Sequence, residues 1–355
     1  MVKKLIIVGN GFDLARELKT KYSDFFNWLD QNKPKNDFSS FWSTMNYKDA
    51  DLLYQLEPLK DQNFWYIYMS MLRLPIKDWN DVESRILYVV KSIEESNSLD
   101  FLSSTSPSET FSQNDINTMD PEKFALICIL FTFCKNKSFD DCHDYLFLEL
   151  QKFENLFKEY LTDEIGSANF TNFGLNQLKE NFEIDDIAIL NFNYTNISDI
   201  FLEENTRNIH GNAFNCNDDE HLIFGVDSTE ISASQKTFRF TKTSRVMHES
   251  ISHSYNSILS HDIQKISFIG HSLSDADYGY FESIFDYLSI YDADVELNFL
   301  YTRHHKENAS EMTSYQNAIQ RLLETYGNTL ENKNKGKNLL QKLLLENRLK
   351  LVELR

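Results

Sequence analysis

Within residues 3–8, Leu5–Val8 (LIIV) is apolar without a break. Such a run suits a strand buried on both faces. Gly9-Asn10-Gly11 then turns the chain, and from Asp13 onward LARELKTKYSDFFNWL reads as helical, with Thr20 and Ser23 placed to restart the helix as local caps. From residue 30 to 180 the period changes from strand-like to helical. The segments 60–74, 81–96 and 145–161 dominate, the last with Leu and Phe recurring at three and four. Residues 98–123 are polar and turn-rich, as expected of an exposed connection. After residue 180 short apolar runs return as IAILNFNY, RNIHG, HLIFGVD, KISFIGHS and VELNFLY. Helical patterns follow the fourth and fifth runs, and the tail NLLQKLLLENRLKLVEL reads as a helix passing into an edge strand.

These patterns predict an α/β chain with a Rossmann-like, largely parallel sheet and a large helical insertion. Residues 1–30 and 181–310 would build a nucleotide-binding core, and residues 31–180 the insertion. Residues 311–355 would pack on the core as a C-terminal helix and edge strand.

Composition narrows the picture. The chain has 355 residues, 41% hydrophobic and 14% aromatic, ample for a packed core. No apolar stretch approaches the roughly 20 residues of a spanning helix, so a cytoplasmic protein without membrane contact is expected. A net charge of −19 argues against broad nucleic-acid binding, which needs Lys and Arg on phosphates. It leaves room for a small anion held by backbone N–H groups. Cys128, Cys134, Cys142 and Cys216 have no CxxC spacing and read as free core thiols. No metal-ligand spacing is present either.

Ligands of open parallel sheets sit beyond the carboxyl ends of the strands. Four polar clusters fall at such ends. Gly9-Asn10-Gly11-Phe12-Asp13 holds two glycines of a dinucleotide fingerprint, but a plain strand–helix turn accounts for them equally well. Its N–H groups would approach a phosphate or ribose, while Asn10 and Asp13 would bond sugar hydroxyls or, for Asp13, cap the helix. The second cluster places Asn191, Asn193 and Asn196 around Tyr194, and the third is Ile209-His210-Gly211-Asn212. The fourth runs Gly270-His271-Ser272-Leu273-Ser274-Asp275-Ala276-Asp277, more polar groups than a helix cap requires.

At these clusters the sequence resembles the AbiH family of bacterial abortive-infection proteins. VGNGFDLARELKTKYSDF carries its opening motif, WNDVESRI at 79–86 a Trp/Asp/Glu element, and LNFNYTN, NIHGN and GHSLSDADYGYF follow in order. Arg16-Glu17 departs from the pattern, which has a His-Gly or similar pair there. A more distant similarity, to sirtuin-like NAD-consuming effectors, implies Asn193 and His210 as the catalytic pair. It also implies a cofactor site around Gly9, Asn10, Gly11, Phe12, Asp13, Tyr194, Gly270, His271, Ser272 and Asp275. Glu83 of the Trp79/Asp81/Glu83 element either reaches the ligand or forms a buried salt bridge.

The expectation is therefore an anti-phage effector that binds NAD or a related nucleotide and hydrolyses its N-glycosidic bond. A nucleotide-binding sensor or scaffold without turnover is the alternative. A metal-dependent nuclease using His210, His271, Asp275 and Asp277 is a third reading. Self-association, or a partner defence protein, would use the helical insertion, where Phe131, Phe133 and Phe147 serve either as a contact face or as core.

Overall fold

The structure, a computed structural model, describes residues 2–33, 49–72, 79–95, 102–166, 186–195, 197, 205–214, 221–252, 257–301 and 308–354. Six strands form one sheet: β1 Lys4–Val8, β2 Ile187–Asn191, β3 Thr206–Asn208, β4 Lys265–Ile269, β5 Glu296–Tyr301 and β6 Leu349–Glu353. Their order is β3-β2-β1-β4-β5-β6, and every neighbouring pair is parallel. This is the order of the Rossmann dinucleotide-binding sheets, so the α/β expectation holds.

The register explains the apolar run of β1. Lys4 aligns with Ile187 on one side and Lys265 on the other. Leu5 and Ile7 enter a core with Phe268, Phe281 and Phe299, while Ile6 and Val8 enter another with Ile189, Ile269 and Leu300. Each fully buried aliphatic side chain contributes roughly 1.5–3 kcal/mol, and a central strand collects this on both faces. At the edge, Leu339–Leu345 forms a helix and the chain then enters β6 beside β5.

The chain divides into two compact units. The first comprises Met1–Thr20, Leu161–Leu222 and Val246–Arg355 and holds the sheet. The second comprises Lys21–Tyr160 and Ile223–Arg245. Its helix Pro121–Cys134 is apolar all round and correspondingly buried, including Phe131 and Phe133. Phe147 packs edge-on against Phe240, with the Arg239 guanidinium 4.2 Å from its ring. Tyr22, Phe25, Phe153, Phe157 and Phe224 form an aromatic core. Cys128, Cys134 and Cys142 are free and buried; Cys216 lies outside the described residues. No helix among the described residues is long and apolar enough to cross a membrane.

Three expectations need correction. HLIFGVD is not a strand: Phe224 fills the aromatic core, and its N–H donates to Glu154 Oε1 at 2.8 Å instead of to a neighbouring strand. Glu154 also takes both arms of Arg245, at 2.9 and 2.8 Å, and both side chains are buried. The polar stretch 98–123 is not simply a connection. It contains short helices at Pro107–Thr110 and Gln113–Thr118, and Leu102 and Ile116 turn inward. The first helix is also shorter than its pattern, ending at Ala15 before a second begins at Tyr22.

That first ending is a Schellman closure. Leu18 N–H reaches Asp13 O, and Glu17 N–H reaches Leu14 O, both at 3.0 Å. Glu17 takes φ 62°, the left-handed conformation that glycine adopts freely. It occupies the position where the related pattern has a glycine.

Glu17→Gly should therefore raise stability by about 1 kcal/mol in urea unfolding, and no gain would mean that Glu17 makes a compensating contact. Gly270→Ala should cost on the order of 3 kcal/mol or more, because an added Cβ would lie 2.2 Å from Phe12 N at φ 62°. Gly279→Ala, in open space on a helix, should instead gain about 0.5–1 kcal/mol. Equal stability of these two alanine variants would show that the Gly270 contact is dispensable.

Candidate functional site

The sheet reverses its winding between β1 and β4, and the loops that follow β1, β2, β3 and β4 leave from the same end. The β1 and β4 loops meet backbone to backbone. Gly9 N–H donates to Ile269 O at 2.9 Å, and Gly11 N–H donates to Gly270 O at 2.7 Å. A Cβ on Gly9 would lie 2.6 Å from His271 Cα. Phe12 N–H donates to Gly9 O. The close approach that these glycines permit is thus to the Gly270 turn, and the amides of Gly9, Gly11 and Phe12 are already committed.

The side chains of the first cluster divide by role. Asn10 accepts from Thr20 Oγ1 at 2.6 Å and so ties down the helix exit. Phe12 is buried, with the Arg16 guanidinium 5.4 Å from its ring centroid. Asp13 is buried and accepts from Thr195 Oγ1 at 2.6 Å. Its other oxygen, Oδ1, meets no hydrogen-bond partner among the described residues. Burial pushes this carboxyl up to about 6, against the opposing effects of Thr195, the Arg16 charge and the Asn193 amide.

The asparagines after β2 also separate. Asn191 donates to Thr195 O at 2.9 Å and to Asn208 Oδ1 at 2.8 Å, and accepts from Asn193 N–H at 3.1 Å. It organises the turn. Asn193 is 2% exposed; its amide faces the Asp13 carboxyl, but neither its Oδ1 nor its Nδ2 forms a well-aligned hydrogen bond among the described residues. A buried polar group left in this state costs about 1–3 kcal/mol. Asn196 lies outside the described residues.

His210 lies between the residues flanking Asn193. Its Nδ1 is 3.2 Å from Phe192 O, and its ring packs against Phe192 and Tyr194 at 5.6 and 5.7 Å. A carbonyl only accepts, so Nδ1 carries the proton and Nε2 is the basic atom of the neutral ring. Gly211 follows at φ 82°, with His221 O only 2.4 Å from where a Cβ would stand. Asn212 closes that loop by accepting from Phe214 N–H.

His271 is buried, 4.7 Å from the Phe192 ring, with Nε2 3.6 Å from Asp277 Oδ2. Asp277 Oδ1 is 3.8 Å from His210 Nε2. The first cluster, Asn193, His210 and His271 are therefore linked through Asp13, the Gly270 turn and Phe192. Ser272 and Asp275 are exposed, and Asp275 lies 3.7 Å from Arg321. Glu83 belongs to the second unit, where it forms a buried pair with Lys242 at 2.7 Å.

Thr195 and Arg16 join the cluster without having been read as site residues, and Asp277, read only as a metal ligand of the nuclease alternative, joins it as well. Asp277 carried a usable signal, since it stands two residues from Asp275 in a 3-10 turn, so the two carboxylates point to different sides and only one can face inward. A cleft of about 370 Å³ lies elsewhere, at the amino ends of β4 and β5 beside His261 and Asp294. Its position is opposite to where parallel sheets hold ligands.

The raised Asp13 carboxyl fixes the sign of a stability change. Stability is fullest below the unfolded carboxylate range and falls as pH rises through about 6. Asp13→Asn should therefore be the more stable protein at pH values near 7.5, by up to about 3 kcal/mol, with the gain vanishing near pH 4. Parallel urea titrations check this, and a variant equally destabilised at both pH values would refute the buried-charge account.

No curated protein and no solved structure matches the chain. The family model described as bacteriophage abortive infection AbiH matches residues 5–299, which include every strand end of the site. The chain belongs to the AbiH family of bacteriophage abortive infection proteins.

Proposed function

We propose that this protein acts in abortive infection by binding NAD, or a related nucleotide, and hydrolysing its N-glycosidic bond. The observation that carries the reading is the incomplete polar set at Asp13 and Asn193 beside His210. Asp13 Oδ1 and Asn193 Oδ1 accept hydrogen bonds, and Asn193 Nδ2 donates one. A ribose diol supplies two hydroxyl donors and oxygen acceptors that match them. Because the glycine-turn amides are committed to backbone carbonyls, recognition in this reading rests on the side chains.

The reaction asks little of a nucleophile. Nicotinamide leaves as a neutral base, and the transition state resembles an oxocarbenium ion. The C1′–N bond breaks with its electron pair going to nicotinamide, and a water oxygen forms the new C1′–O bond. Asn193 orients the ribose and the water, and His210 Nε2 accepts the proton that water loses. General-base assistance supplies about 10²–10⁴-fold, so positioning supplies most of the rest. The developing cation is also favoured by the Asp13 carboxylate, which is available above about pH 6.

The metal-dependent alternative gains nothing from this geometry. Leu273 N–H donates to His271 Nδ1 at 3.0 Å, so the neutral ring presents N–H, not a lone pair, at Nε2.

Purified protein incubated with NAD should release nicotinamide and ADP-ribose, followed by mass. His210→Ala and Asn193→Ala should each lower the rate by at least about 10²-fold while circular dichroism stays unchanged. Unchanged NAD loss in both variants would overturn the assignment. Tight NAD binding with no nicotinamide released would make the protein a nucleotide sensor instead.

A further inference from the structure

The histidine and carboxylate groups beyond β3 and β4 form a chain whose two ends are chemically fixed. At one end Leu273 N–H donates to His271 Nδ1 at 3.0 Å. A backbone amide only donates, so His271 accepts there and carries its proton on Nε2, toward Asp277 Oδ2 at 3.6 Å. At the other end His210 Nδ1 is 3.2 Å from Phe192 O. A carbonyl only accepts, so His210 has the opposite tautomer, with a lone pair on Nε2 toward Asp277 Oδ1 at 3.8 Å. The middle link then brings a lone pair up to a carboxylate oxygen. It becomes attractive when one proton is added to it.

The backbone is strained in order to set this up. Leu273 is buried yet takes φ 56°, and Gly270 takes φ 62°, so left-handed residues lie on both sides of His271. A left-handed leucine is strained and persists only where its surroundings hold it. Here it holds the Leu273 amide on His271 Nδ1.

We propose that Asp277, which faces both His271 and His210, is the positioning residue for His210: it stabilises and orients the imidazolium formed when Nε2 takes a proton. Its catalytic meaning rests on the hydrolase reading above, whereas the proton arrangement stands apart from it. Of the described ionisable groups, Asp277 faces Nε2, His271 lies behind it and Tyr194 covers the ring.

Nitrogen-15 spectra of histidine-labelled full-length protein test the arrangement directly. Neutral His210 should be protonated on Nδ1 and neutral His271 on Nε2. Asp277→Asn should lower the imidazolium fraction of His210 at a pH near 6.5, and Asp277→Glu should restore part of it. In NAD turnover Asp277→Asn should lower kcat about 10²-fold and move KM less than about 3-fold. The same tautomer on both rings overturns the proposal, as do His210 resonances unmoved by Asp277→Asn, whatever NAD does. Opposite tautomers and shifted resonances with no NAD loss support the array and overturn the hydrolase reading.

Discussion

Two turns without side chains, one after β1 and one after β4, touch so closely that carbonyl oxygens, amides and α-carbons form the contact. Gly9, Gly11 and Gly270 make it possible, and a hydrogen bond from Gly11 N–H to Gly270 O closes it. Everything in the site depends on this junction. It sets the start of the helix that carries Asp13, and it brings His271 across the top of Gly9. From His271 the contacts run through Phe192 to His210 and through Asp277 back to it. A Rossmann sheet commonly uses its first glycine turn to let a ligand's phosphate approach. Here the same permissiveness lets two protein loops approach, and in the proposed reading polar recognition passes to side chains such as Asp13 and Asn193.

That transfer explains why the fold was easier to read than the site. Burial on both faces is written into LIIV, IAIL and ISFI as runs apolar at every position but Ser267, and these runs became β1, β2 and β4. HLIFGVD carries the same signature but packs Phe224 among aromatic rings, so apolar continuity reports burial without saying against what. A carboxylate far along the chain, Glu154, satisfies the backbone amide there, and no local pattern announces such a partner.

Within the site, residue type was legible and allocation was not. Asn191 and Asn193 stand two residues apart with the same chemistry. Asn191 is absorbed by Thr195 and Asn208, which leaves the Asn193 amide incomplete. Asp275 and Asp277 present the same difficulty across one turn, since Ser274 caps it and the direction of each carboxylate follows from that cap. The AbiH pattern marks these segments as belonging together. Which member of each pair faces inward is decided by neighbours distant in sequence.

The placement of β1 has a further consequence, for how such a chain is made. Its residues 4–8 pair with 187–191 and with 265–269. At roughly 5–20 residues per second, tens of seconds separate synthesis of this apolar strand from that of its second neighbour. The strand must be kept from other partners during that time, by chaperones or by transient burial. The delay also has a protective side. Asp13 is made early and Asp277 late, so a chain abandoned anywhere before the β4 turn lacks a complete site. A nascent chain of this plan cannot bring these residues together until β4 has been made.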